Sequence, residues 1–197
     1  MLTFLCISLF LLPNGESPLF KTDDTAQFDL VGISAESISV KDGLIRLTGK
    51  PNGYFATKAR YKNYRLKFDW RYERPEDLKS DAAFKGNSGL LIHIEGPDKL
   101  WPRCIEVQLM NADAGNILAL GGKFQGAKDP IAQKKAIKPV GEWNAEVVDC
   151  KDGAIRVLIN GIEVSKGTGA VPSEGRIGWQ SEGRPIEFRN ITIELLD

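Results

Sequence analysis

Along most of the chain the apolar residues recur at every second position. In "YRLKFDWRY" (Tyr64–Tyr72), Leu66, Phe68 and Trp70 alternate with Arg65, Lys67, Asp69 and Arg71. That period marks a strand with one dry face and one wet face. Similar short runs are "SISV" from Ser37, "LIRLTG" from Leu44, "GYFATK" from Gly53 and "GLLIHIE" from Gly89. They continue with "CIEVQLM" from Cys104, "NAEVVDC" from Asn144, "AIRVLING" from Ala154, "IEVSKG" from Ile162, "GRIGWQ" from Gly175 and "IEFRNITIELL" from Ile186. Asp42-Gly43, Asp152-Gly153 and Asn160-Gly161 fall between consecutive runs, where such pairs form tight hairpin turns. Helical periodicity is absent beyond a turn around 75–80. The segment from Asn111 to Val140, rich in Gly, Ala and Lys, reads as one long irregular stretch of the kind that is usually functional.

Many short strands joined by turns, without helices, predict an all-β fold: a jelly-roll sandwich of two antiparallel sheets. Interior positions fill the core between the sheets. Function is therefore expected on outward-facing residues and loops. The length of 197 residues suits one such domain.

The first residues break the pattern. "MLTFLCISLFLLPNGESP" has an apolar core from Leu2 to Leu12 followed by Pro13-Asn14-Gly15. Its length fits the core of an export leader and is too short to span a bilayer. Residues 1–18 are read as a leader and 19–197 as the domain, which places the mature protein in the periplasm or outside the cell, with no membrane span.

Charge adds little to this picture. Lys plus Arg and Asp plus Glu each number 26, so no global field draws the chain to nucleic acid or anionic lipid. Of three cysteines, Cys6 lies in the leader. Cys104 and Cys150 each sit within a strand pattern and are expected as separate buried thiols. Neither has a partner at zinc-ligand spacing. P-loop, dinucleotide and Gly-x-Ser-x-Gly patterns are missing, and the single histidine, His93, argues against a Ser–His or Cys–His triad.

Four segments in order, "GNSGLLIH", "CIEVQLM", "PVGEWNAEVVDCKDGAIRVLINGIEV" and "IGWQSEGRPIEFRNITIELL", resemble the 3-keto-disaccharide hydrolase domain family, whose fold is a concanavalin-like jelly roll. The resemblance runs from about Phe28 to Leu196. It implies an exported enzyme that cleaves glycosidic bonds of sugars oxidised to a ketone at carbon 3. Two positions depart from the family pattern. His93 stands where the family commonly has Arg, and Gln180-Ser181-Glu182-Gly183 replaces a turn that often carries His.

With that chemistry in view, Glu106 is the expected general base. It lies between Ile105 and Val107, so if those enter the core it faces outward together with Gln108. His93 and Glu95 share a parity on the preceding strand, about 6.5–7 Å apart at Cα. His93 is a candidate acid for the leaving group and Glu95 a substrate contact; with Glu106 they could instead hold a divalent cation. Glu182 is the third catalytic candidate. Asn87, Gln180 and Arg189 are expected to bind sugar hydroxyls, and Trp101 and Trp179 to stack on a pyranose ring. Trp70 and Trp143 read as packing residues.

A retaining glycosidase on a similar jelly roll would carry Glu-x-Asp-x-x-Glu on one strand. Here Glu106 is followed by the amides Gln108 and Asn111, which argues against a two-carboxylate hydrolysis of unmodified sugars. The alternative from another class is a non-catalytic carbohydrate-binding module, in which the same acids and amides would serve only as hydrogen-bond partners.

Overall fold

The computed structural model describes residues 15–197. The strands are β1 (Ser17–Pro18), β2 (Phe28–Val31), β3 (Ile38–Lys41), β4 (Leu44–Leu47), β5 (Gly53–Thr57), β6 (Tyr64–Tyr72), β7 (Gly89–Glu95) and β8 (Arg103–Gln108). They continue with β9 (Ile117–Leu120), β10 (Lys123–Lys128), β11 (Asn144–Lys151), β12 (Ala154–Ile159), β13 (Ile162–Val171), β14 (Arg176–Ser181) and β15 (Ile186–Leu195). One α-helix, α1 (Pro130–Ala136), lies between β10 and β11.

These strands form two antiparallel sheets. The larger runs β10-β13-β12-β11-β6-β15-β4-β3, with β1 on β15, and the smaller runs β2-β5-β14-β7-β8-β9. The expected jelly-roll sandwich is what the chain adopts. Its core lies between the sheets, where Leu66, Phe68, Trp70 and Tyr72 of β6 meet Leu90 and Ile92 of β7 and Ile105 and Val107 of β8. Asp42-Gly43, Asp152-Gly153 and Asn160-Gly161 all have positive φ at both residues. That is the backbone a two-residue hairpin turn requires and that Asp, Asn and Gly tolerate.

The expected leader lies largely outside the described residues, and Cys6 with it. Ser17 and Pro18, at its end, pair with Ile193 and Thr192 of β15. Among the described residues no helix is long and apolar enough to cross a membrane. Cys104 and Cys150 are both free and buried. They lie on different faces, Cys150 in the inter-sheet core and Cys104 in a small apolar cluster with Val31, Tyr54 and Leu91.

The segment 111–140 is not irregular. It holds β9, β10 and α1. Gly121-Gly122 makes the β9–β10 turn, and β10 adds an edge strand beside β13. The helix starts where Asp129 accepts hydrogen bonds from the N–H groups of Ile131 and Ala132, with Pro130 in its first turn. Seven residues with only Gln133 and Ala136 buried are too few to display a 3.6-residue period.

Candidate active site

β8 decides the geometry. Its alternation sends Ile105 and Val107 into the core and leaves Cys104, Glu106 and Gln108 on the outer face of the smaller sheet. Glu106 and Gln108 line a cleft of about 490 Å3 together with Asn87, Gln180 and Glu182, a volume ordinary for small-ligand sites. Lys99, Trp101, Pro102, Arg103, Leu120 and Gly121 form its other wall.

The floor beneath Glu106 is a glycine. Gly89 pairs with Gln108, and a Cβ at this position would stand 2.3 Å from Glu106 Oε1 and 2.5 Å from Gln180 Oε1. The two oxygens are thus neighbours over bare backbone. Gln180 is held from below, its carbonyl accepting from the Ser88 hydroxyl at 2.7 Å. Bridges from Asn87 to Glu182 and Gly183 bring the "GNSG" turn and the turn after β14 together. Gln108 Oε1 accepts from the Met110 N–H at 2.9 Å, so the group this amide offers the cleft is its NH2.

Glu106 is only 6% exposed. Burial, and secondarily the negative charge of Glu182, pushes its carboxyl up to about 7. Among the described residues no lysine or arginine forms an ion pair with Glu106 or Glu182. A carboxyl with that value exchanges its proton readily near neutral pH. Two buried acceptors, Gln180 Oε1 and Asn87 Oδ1, have no protein partner. Buried polar atoms left so are normally satisfied by ligand or water.

Several expected site residues stand elsewhere. His93 is 1% exposed and packs edge-on against Tyr64 of the opposite sheet, ring centroids 5.8 Å apart. A bulge in β7 is the cause. The pairing jumps from Ile92–Ile105 to Glu95–Arg103, His93 takes φ 58°, and the side-chain parity resets within the strand. His93 Nδ1 lies 3.2 Å from the Pro172 carbonyl, which can only accept, so Nδ1 carries the proton. Burial pushes the imidazole down to about 4, leaving it neutral and remote from the cleft.

Glu95 is turned away from the cleft and ion-paired with Arg103; its part is to hold a rim residue. Because His93 and Glu95 both leave, the trio with Glu106 does not converge. Among the described residues no three His, Cys, Asp or Glu side chains are placed to hold a metal ion. Trp179 is fully buried and stacked on Phe55 at 5.2 Å, since it adjoins outward-facing Gln180 and must point inward. Arg189 is on the larger sheet, bonded to Asp69 at 3.1 Å and lying 4.0 Å over the ring of Trp143. Trp101, 45% exposed, is the one tryptophan that the cleft presents. Lys99 escaped sequence reasoning because a lysine in a polar loop carries no pattern of its own.

The fold and the cleft define a jelly-roll protein with a polar cleft on the outer face of its smaller sheet. The chain belongs to the 3-keto-alpha-glucoside-1,2-lyase-like domain family, whose model matches residues 15–194. Two candidate glycosyl hydrolases of known structure from Parabacteroides distasonis are similar to it, each with a TM-score of 0.69. One is 22% identical, covering 93% of this chain and 100% of that one. The other is 25% identical, covering 93% and 94%. The carbohydrate-binding module CBM66 from Bacillus subtilis shares the fold at 11% identity, with a TM-score of 0.56 over 91% of this chain and 95% of that module. No curated protein matches the chain.

Proposed function

We propose that the protein cleaves the glycosidic bond of 3-keto-glycosides by elimination next to the ketone, with Glu106 as the base. The observation that carries this reading is a desolvated carboxyl over Gly89, without an ion-pair partner among the described residues and ringed by the amides of Gln108, Gln180 and Asn87. A ketone at carbon 3 acidifies the proton on carbon 2. Glu106 takes that proton, and the C–H electron pair forms the enolate as negative charge moves to the ketone oxygen. The enolate then collapses to a carbon 1–carbon 2 double bond and the bond from carbon 1 to the leaving oxygen breaks, that oxygen keeping the electron pair and a proton from solvent or acid. Addition of water across the double bond completes a hydrolysis; without it the reaction stops as a lyase.

The amide NH2 of Gln108 is a fixed donor for the enolate oxygen, a role worth roughly 3–4 kcal/mol for a well-aimed group. Glu182, nearer to solvent, is the group that activates the water. A positioned base contributes about 10²- to 10⁴-fold. The family and the two candidate glycosyl hydrolases support action on carbohydrate. Export, as read from residues 1–18, accompanies the proposal.

The test is incubation of a 3-keto-α-glucoside with the protein in D2O, followed by proton NMR. Cleavage is expected, with deuterium at carbon 2 where water adds and a carbon 1–carbon 2 double bond where it does not, and Glu106→Gln should abolish either product while still binding the sugar. Cleavage by Glu106→Gln at the parent rate would refute the assignment. The fold likeness to CBM66 keeps a purely binding role as the second reading, and that role predicts unchanged affinity and no turnover in parent and variant alike.

A further inference from the structure

The outer face of the smaller sheet changes character along the strand direction, and Glu106 stands at the change. On β8 the outward residues are Gln108, Glu106 and Cys104 in turn. The row through Gln108 contains Gly89, with Gln180 leaning over it, and beyond it come Asn87 and Glu182. The row through Glu106 contains Leu91 and Leu118. The row through Cys104 contains Leu120, and Cys104, Leu91, Ile94 and Tyr54 form a contiguous apolar cluster against which Leu120 packs. The loop before β8 closes this end of the cleft with Trp101 and Pro102.

A sugar ring carries hydroxyls all round and suits the first end, where amides converge. The second end offers an indole, a proline ring and a leucine, with few hydrogen-bonding groups. Its charged side chains are Lys99 and Arg103, both lining the cleft, and Lys99, among the described residues, forms no ion pair. Arg103 beside it is committed to Glu95 and to the Gly121 carbonyl.

We infer that the group leaving carbon 1 is an aromatic, phenolic aglycone rather than a second sugar, seated against Trp101, Pro102 and Leu120, with the Lys99 ammonium facing the departing phenolate oxygen. This rests on the elimination reading of the same cleft and reassigns Trp101 from the sugar to the leaving group. When the bond from carbon 1 breaks, the phenol oxygen takes the electron pair as a phenolate. Lys99 offsets that charge and solvent supplies the proton. A flat ring on an indole, packed in an apolar pocket, gains both area burial and stacking.

The experiment uses the Glu106→Gln protein, so that ligands are not consumed, and measures binding of the 3-keto form of phenyl α-glucoside and of 3-keto-trehalose by calorimetry. At least tenfold tighter binding of the phenyl compound is expected, and Trp101→Ala added to this background should remove most of the difference while weakening 3-keto-trehalose less than threefold. Equal or tighter binding of the disaccharide overturns the inference, as does a Trp101→Ala loss of equal size for both ligands. In the parent protein, Lys99→Ala should slow phenyl release at least tenfold more than 4-nitrophenyl release, because the weaker base needs less help; equal slowing counts against the role of Lys99. Turnover of neither compound by the parent would sink the elimination reading alone, since the binding ratio judges the aglycone seat independently.

Discussion

Substituting Gly89→Ala displaces the proposed base without altering it. The added Cβ would lie 2.3 Å from Glu106 Oε1 and 2.9 Å from its Cδ, against an ordinary contact of about 3.4 Å or more. The carboxylate must therefore retreat by about 1 Å. Gln180 Oε1, at 2.5 Å, must retreat too. Both are ends of flexible side chains, and Gly89 is not among the positive-φ glycines, so alanine fits the backbone. Its lower unfolded-state entropy contributes about 0.4–1 kcal/mol of stability, which offsets part of the crowding. A misplacement of about 1 Å at a reacting group costs on the order of 10²-fold, or roughly 2.7 kcal/mol of transition-state stabilisation. Measured on a 3-keto-glycoside, kcat/KM should fall by about that factor. Meanwhile the thermal midpoint should move by only a few degrees. Unchanged kcat/KM in a folded Gly89→Ala protein would show that Glu106 does not work from the place the structure gives it.

Further predictions concern titration and the residues outside the cleft. With Glu106 near 7, kcat/KM should rise about tenfold per pH unit below that value and level off above it; Glu182→Gln should move the inflection to lower pH, and an unmoved inflection would remove Glu182 from the site's electrostatics. Glu146 is fully buried in the core with Oε2 accepting from Trp70 Nε1 at 2.7 Å, and burial pushes its carboxyl up to about 8. A raised folded value means the folded state holds a proton the unfolded chain gives up, so its contribution is complete below about pH 4.5 and falls away by about 1.4 kcal/mol per unit up to about pH 8. Glu146→Gln, which keeps an acceptor for Trp70, should remove that slope in urea titrations and raise stability at pH 8 by several kcal/mol; a slope that persists would place the titration elsewhere. His93→Asn should leave kcat/KM within about twofold while costing roughly 1–3 kcal/mol of stability, and a large kinetic loss at constant stability would return His93 to the reaction. Neither Cys104 nor Cys150 should react with a thiol reagent until the protein is denatured, and both should then do so without prior reduction.

The sheets were legible because period-two alternation survives wherever a strand has one dry face, and Leu66, Phe68 and Trp70 on β6 display it without interruption. Parity alone placed Glu106 and Gln108 on the outer face. It failed for His93, because the bulge that resets parity inside β7 rests on φ 58° at one residue and on Gly175, where a Cβ would stand 2.3 Å from the His93 carbonyl carbon. Neither feature alters the pattern of residue types. β9, β10 and α1 escaped for a different reason. β9 and β10 are edge strands without a buried residue and α1 has only seven residues, so none carries a periodic contrast to read.

Trp179 obeys the same alternation that places Glu106. In "GWQS" the Trp and Gln are consecutive, and consecutive strand residues face opposite ways, so a cleft that takes Gln180 cannot also take Trp179. An aromatic residue beside polar ones resembles a sugar platform, yet the same pair reads more simply as one core side chain and one cleft side chain. The structure agrees with the simpler reading, since Trp179 joins Phe55, Phe68 and Phe188 between the sheets. Its position there has a consequence for the site. A rigid aromatic layer directly beneath β14 fixes the backbone that carries Gln180. Gln180 and Gly89 in turn confine the Glu106 carboxyl from two sides. The cleft therefore draws its precision from the core below it, and that is why a single methyl at Gly89, rather than a change at any exposed rim residue, is the sharper probe of whether this carboxyl does the chemistry.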